Sequence, residues 1–339
     1  MNKIKIKIWI MIISLIFIFN TTILYGENKV YTIKDNEESS WIMPRARKSL
    51  LLDVLQIKDS SKLIAVGERG HILLSDDSGN NWRQVVAPTL STLTKIFFYD
   101  NSHGWIVGHD AVILFTSDGG ETWTKQYFAP EKEWPLFAIW FKDTQYGIAT
   151  GAYGFYLETN DGGNTWIERT VESLEDPEFG FAHFNAITLT SDGKIFIAGE
   201  AGFLGKSNDF GKTWEKIESP YIGSYFTILT TSSNALIMAG LRGHIFRSAD
   251  SGESWEEITT GDVASLNKCI QLKNGKIVLA GMEGTFLVSN DDGKTFKISK
   301  RSDRLAVASM VGLENDIIVV AGERGVLKIS LQDVNKTLE

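Results

Sequence analysis

One motif recurs six times along the 339-residue chain, and a second recurs seven times a fixed distance upstream of it. Each period holds room for four short strands. Together these observations predict an all-β fold, a seven-bladed β-propeller with four-stranded blades.

The first motif is Ser/Thr-x-Asp-x-Gly-x-x-aromatic. It reads SDDSGNNW at 75–82, TSDGGETW at 116–123, TNDGGNTW at 159–166, SNDFGKTW at 207–214, SADSGESW at 248–255 and SNDDGKTF at 289–296. Its acids are Asp77, Asp118, Asp161, Asp209, Asp250 and Asp291, at steps of 41, 43, 48, 41 and 41 residues. Trp82, Trp123, Trp166, Trp214 and Trp255 close five copies, which accounts for half of the ten tryptophans. A short acceptor such as Asp can bind backbone N–H groups of its own turn. The Gly two places on permits a positive φ, and the aromatic ring buries a large area between neighbouring blades. Six equivalent acids cannot all be catalytic, and the motif lacks the acid spacing of a calcium-binding loop. We read it as structural.

The second motif is Gly-x-x-Gly followed by an alternating strand. It appears as GERGHILLS at 67–75, GAYGFYLET at 151–159, GEAGFLGKS at 199–207, GLRGHIFRS at 240–248, GMEGTFLVS at 281–289 and GERGVLKIS at 322–330. GHDAVILFT at 108–116 carries Ala111 in place of the second Gly. In the last copy Gln332 and Val334 replace the Asp and Gly of the next turn, so the seventh blade ends before its outer strand. The first unit illustrates the blade: strands at 50–57, 63–67, 71–75 and 82–86. The segment KVYTI at 29–33 is expected to supply the missing strand and close the ring, removing an exposed sheet edge.

Residues 1–26 read as a secretory signal peptide. Lys3, Lys5 and Lys7 precede an apolar run from Ile8 to Phe19, and Gly26 ends a stretch of small and polar residues. The run is short for a membrane span. Cleavage would remove those three lysines and no acid, so the net charge of −8 would become −11. Residues 27–339 are then a single propeller domain in the periplasm or extracellular space, either free or associated with a membrane. A lone cysteine, Cys269, excludes a disulfide framework. The acidic balance argues against nucleic acid.

These motifs resemble the Asp-box repeat of sialidases, other glycoside-hydrolase propellers and non-catalytic propellers. The unbroken seven-blade register is similar to the photosystem II stability/assembly factor family. The resemblance covers nearly all of residues 45–330. It implies a non-enzymatic, monomeric propeller that binds protein and helps assemble a membrane-protein complex, or captures its exported segment, on the outer side of a membrane. It implies neither cofactor nor metal nor catalytic residue.

The alternative is a secreted sialidase-like or other glycoside hydrolase, with Asp110, Glu200 and Glu283 as candidate acids. The Phe/Tyr-Arg-Ile-Pro motif of sialidases is absent; the nearest text is Met43-Pro44-Arg45-Ala46-Arg47. The five histidines (71, 103, 109, 183 and 244) are scattered, and no Gly-x-Ser-x-Gly or HExxH occurs.

Strand alternation puts the Asp turns on one face and the Gly-x-x-Gly turns, with the inter-blade connections, on the other. A partner is expected on the second face. Arg69, Arg242 and Arg324 lie in its turns, and Arg45, Arg47, Arg301 and Arg304 in connections into blades 1 and 7, suited to an anionic partner segment. The longer repeat steps place insertions at 127–136 and 170–183, which bring Trp134, Phe179 and His183 to the same face. Those aromatics either contact a partner or cover the core beneath.

Overall fold

The structure is a computed structural model that describes residues 38–335. Seven antiparallel sheets follow one another along the chain. Blade 1 comprises Leu51–Gln56, Leu63–Gly67, Ile72–Ser75 and Arg83–Val85, hydrogen-bonded in that order. Blades 2 to 6 repeat the pattern, with first strands Leu93–Phe98, Leu136–Phe141, Phe184–Leu189, Tyr225–Thr230 and Leu266–Gln271. Blade 7 has three strands among the described residues: Val307–Gly312, Ile317–Gly322 and Gly325–Ser330. A short helix, Leu331–Asn335, follows. Its Leu331 and Val334 are buried with Val278, Phe286 and Ile318 between blades 6 and 7. No helix of the described residues is long and apolar enough to cross a membrane.

The expected signal at 1–26 and closing strand at 29–33 lie outside the described residues. Within them, chain closure runs through packing and side-chain bonds. Leu51, Leu63 and Leu73 of blade 1 pack against Val319, Ala321 and Val326 of blade 7. The leading residues lie along the outer edge of blade 1. Ser40 N donates to Ala87 O at 2.8 Å, and the Gln84 side chain bridges Met43 N and Trp41 O.

The Asp turns show why their residues recur. In each, the Ser/Thr hydroxyl donates to the Asp carboxylate and accepts the N–H of the motif Gly, as Thr116 does with Asp118 (2.7 Å) and Gly120 (3.0 Å). The carboxylate also takes the N–H and side-chain donor of the residue before the aromatic, as in Thr122 N–H (3.0 Å) and Oγ1 (2.6 Å) to Asp118, with the Asn81 amide in that role in blade 1. Gly120 has φ +89°, and a Cβ there would stand 2.6 Å from Ile64 of blade 1. The ring that closes the motif packs on the preceding blade. Trp123 lies in a cluster with Ile64 and Leu74, and the Trp214 indole N–H donates to Tyr156 Oη at 3.2 Å. Trp82 and Trp255 are only half-buried.

Every first strand carries one bulge near its start. Three bulged residues stitch successive blades. Thr94 Oγ1 donates to Leu136 O, Asn185 Nδ2 to Tyr225 O and Asn267 Nδ2 to Val307 O, at 2.5–2.8 Å. These strands line a central channel with a cavity of about 830 Å³.

Candidate functional site: the Gly-x-x-Gly face and channel mouth

Six of the seven Gly-x-x-Gly turns share one conformation. Their third residue takes φ between +50° and +57°: Arg69, Asp110, Tyr153, Ala201, Arg242 and Glu283. Placing a non-glycine residue there costs conformational energy, and the side chain is directed out of the turn. All but half-buried Asp110 are exposed. Blade 7 differs: Gly322 pairs with Gly325 across a two-residue hairpin, so Arg324 sits at a turn of different shape. A Cβ at Gly325 would stand 1.8 Å from Arg47 O. This close approach holds the 45–48 segment on blade 7 and brings Arg47 and Arg324 to one sector.

The basic sector is only partly available. Arg301 is largely covered and forms a two-pronged pair with Asp303. Arg304 pairs with Glu283 at 2.5 Å. Arg45, Arg47, Arg69, Arg242 and Arg324 make no ion pair with another described residue.

The insertions divide between covering the core and standing exposed. Trp134 meets Tyr153 and Phe155, with ring centroids 6.1 and 5.5 Å apart. Tyr153 in turn stands edge-on to His183 at 4.6 Å, and His183 stacks toward Phe137 at 6.1 Å. Trp134 and His183 thus belong to one aromatic patch over blades 3 and 4. In the 170–183 connection, Val171 and Leu174 are buried in the core, whereas Phe179 is 82% exposed. Asp176 fixes that loop by accepting the N–H groups of Glu178 and Phe179 and pairing with Lys216 at 2.5 Å. Its carboxyl is held at about 2 by Lys216 and those two backbone donors. Sequence reasoning missed Ile222 and Val263, 92% and 77% exposed on the next two connections. Apolar residues standing alone between two blade units were the available signal.

The channel holds a feature that the motif reading also missed. At the position after the bulge, Asp53, Lys95, Lys268 and Ser309 from blades 1, 2, 6 and 7 form a charged arc. Asp53 is buried; its carboxylate accepts Ser309 Oγ (2.5 Å) and Ile96 N–H (3.0 Å), and lies 3.2 Å from Lys95 Nζ and 3.6 Å from Lys268 Nζ. Burial works against its charge, but the two ammoniums and two donors keep its pKa below the ordinary carboxylate range. Burial and the like charge of Lys95 push Lys268 down to about 8, despite Asp53. The opposite wall carries small side chains at the same level: Ala138, Ala186 and Thr227. Aligning the first strands as LDV, TKI, FAI, NAI, FTI, NKC and ASM would have shown the three charges.

The candidate hydrolase acids stand on separate blades with partners of their own. Asp110 accepts Ser91 Oγ at 2.6 Å, Glu200 lies 3.6 Å from His183, and Glu283 is paired with Lys300 and Arg304. Among the described residues no cluster of three His, Cys, Asp or Glu could hold a metal ion. Cys269 is buried, and burial pushes its thiol pKa far up.

The sequence profile of the family described as "Photosynthesis system II assembly factor YCF48" matches residues 78–139 and 131–278, more than half of the chain. The chain belongs to this family. Photosystem II assembly protein Ycf48 of Thermosynechococcus vestitus is 43% identical over 44 residues, 13% of each chain. Matches to the curated Ycf48 and HCF136 relatives span only 12–25% of those proteins' lengths. The solved structure "YCF48 bound to D1 peptide" superposes with TM-score 0.66 at 20% identity, covering 88% of this chain and 96% of that one. YCF48 from Cyanidioschyzon merolae gives 0.68 at 16% identity, covering 86% and 98%. At those identities the superpositions speak for the fold alone.

Proposed function

We propose that this chain is a non-catalytic, exported propeller that binds a protein partner and serves as an assembly or scaffold factor for a cell-envelope complex. One observation carries the reading: the Gly-x-x-Gly face presents Arg69, Arg242 and Arg324 at its turns and Arg45 and Arg47 beside them, none in an ion pair with another described residue, with Glu68 and Glu323 as chain neighbours of Arg69 and Arg324. Unpaired guanidinium groups on an acidic protein suit an anionic partner segment, to which they can bind through two parallel hydrogen bonds. Apolar side chains on the same face, Tyr153, Phe179, Ile222 and Val263, supply contact area beside the charge. That a YCF48 structure holds a D1 peptide supports a peptide-binding role for the fold family. The basic leader and apolar run of residues 1–26 support export. Arg301 and Arg304 take a secondary part here, as positioning groups for Asp303 and Glu283.

The test is photo-crosslinking in the native envelope from a reactive residue placed at Tyr153. A discrete membrane-protein adduct is expected, lost on combined Arg47→Ala, Arg69→Ala and Arg324→Ala substitution. An adduct that persists in the triple variant would remove the arginine sector from the reading. Absence of any adduct, from Tyr153 and from Phe179 alike, would remove the partner.

A further inference from the structure

The centre of the ring poses a separate question from its rim. Lys95 and Lys268 come from blades 2 and 6 and meet beside one carboxylate, Asp53. Two ammoniums against one acid leave an excess of one positive charge in a channel whose walls are otherwise uncharged at that level. The ammoniums are not sealed in: the Lys95 side chain is 31% exposed and that of Lys268 22%. Asp53 divides its acceptor capacity between these ammoniums and the Ser309 hydroxyl and Ile96 N–H. Facing this arc stand the methyl groups of Ala138 and Ala186, with Phe137 and Phe226 beside them on the bulges. A cavity of about 830 Å³ lies between the two sides. An unbalanced charge at a partly dehydrated site is costly unless a counter-charge joins it.

We propose that the central channel binds a small monocarboxylate, its carboxylate bridging the ammoniums of Lys95 and Lys268 and its apolar part lying against Ala138 and Ala186. A single negative charge matches the single excess positive charge. The small apolar wall favours an organic acid over phosphate or chloride. The titratable groups that face Lys268 along the channel are Asp53, Lys95, Cys269 and, at the Gly-x-x-Gly mouth, His109. Lys268 titrates lowest of the lysines there, at about 8. Carboxylate affinity should therefore hold at neutral pH and fall as pH rises past the Lys268 value, where one of the two ammoniums is lost. This site is independent of the rim arginines.

Isothermal titration of the full chain with benzoate and acetate, against chloride and phosphate, tests the assignment. One benzoate per chain is expected to bind, more tightly than acetate, with little heat from chloride or phosphate. Lys268→Met should weaken benzoate at least tenfold. Asp53→Asn should tighten it, the opposite of what a merely loosened channel would do. Acylation of the wild-type protein needs no variant: benzoate should slow modification of Lys95 and Lys268 while leaving exposed Lys58 unchanged. Absence of benzoate binding, or equal protection of all three lysines, would overturn the proposal.

Discussion

Ser309 of blade 7 donates a 2.5 Å hydrogen bond to Asp53 of blade 1, across the point where the two ends of the ring meet. The same carboxylate accepts the Ile96 N–H of blade 2. Asp53 therefore ties three consecutive blades while facing both Lys95 and Lys268.

Removing that carboxylate leaves two ammoniums together in a buried site. Asp53→Ala should cost about 3–5 kcal/mol, the range for breaking a buried ion pair from one side. Asp53→Asn retains an acceptor for Ile96 and should cost less. Urea unfolding of the two variants checks the order; a loss below about 1 kcal/mol for the alanine would contradict the assigned role.

Acid should unfold the protein through its turns. Thr122, Ser254 and Thr295 hydroxyls and N–H groups, with the preceding Ser/Thr of each turn, hold Asp118, Asp250 and Asp291 at about 2. A carboxyl lowered on folding contributes stability that is complete above its unfolded value near 4 and disappears as pH falls through the folded one. Melting temperature should be flat from pH 7 to about 5 and drop most steeply between about 4 and 2. Asp291→Asn should shrink that drop. A single turn contributes on the order of 1 kcal/mol, because these groups are solvent-screened. A steep loss centred near pH 6 would point to another group.

The motif aromatics should not be equivalent. Trp123 is buried against Ile64 and Leu74 and stands edge-on to Phe98 at 6.2 Å. Trp82 is half-exposed. Trp123→Ala should cost about 3–5 kcal/mol and Trp82→Ala clearly less. Equal costs in chemical denaturation would mean that burial between blades is not what the ring contributes.

Cys269 should ignore thiol reagents in the folded state. It lies in a buried cluster with Ile237 and Leu279, and its backbone N–H is bound by Thr227 Oγ1 at 3.1 Å. Labelling by a disulfide-exchange reagent should appear only with unfolding. Rapid labelling of native protein would mean that the channel wall opens.

Much of this was legible before the structure. The period, the blade boundaries and the face assignment follow from turn chemistry, because Asp118 and Gly120 act within a few residues of chain. The Arg304–Glu283 pair was not legible, because it joins residues from different turns, and the local fold of Arg301 onto Asp303 depends on the loop conformation between them. The channel cluster was hidden for a related reason. Asp53, Lys95 and Lys268 are far apart in sequence, and the bulge in each first strand decides which of its residues stand at one level.

The left-handed residue at the tip of six turns has a consequence for how such a protein can change. Each of these six blades displays one side chain on a backbone that its two flanking turn positions already fix. Charge, aromaticity or size can therefore be exchanged there one blade at a time, as Arg69, Tyr153 and Ala201 already illustrate, without repacking the blades. The conformation restricts the choice to residues that tolerate positive φ, and none of the six is β-branched. The face works as a dial with fixed stops and replaceable letters.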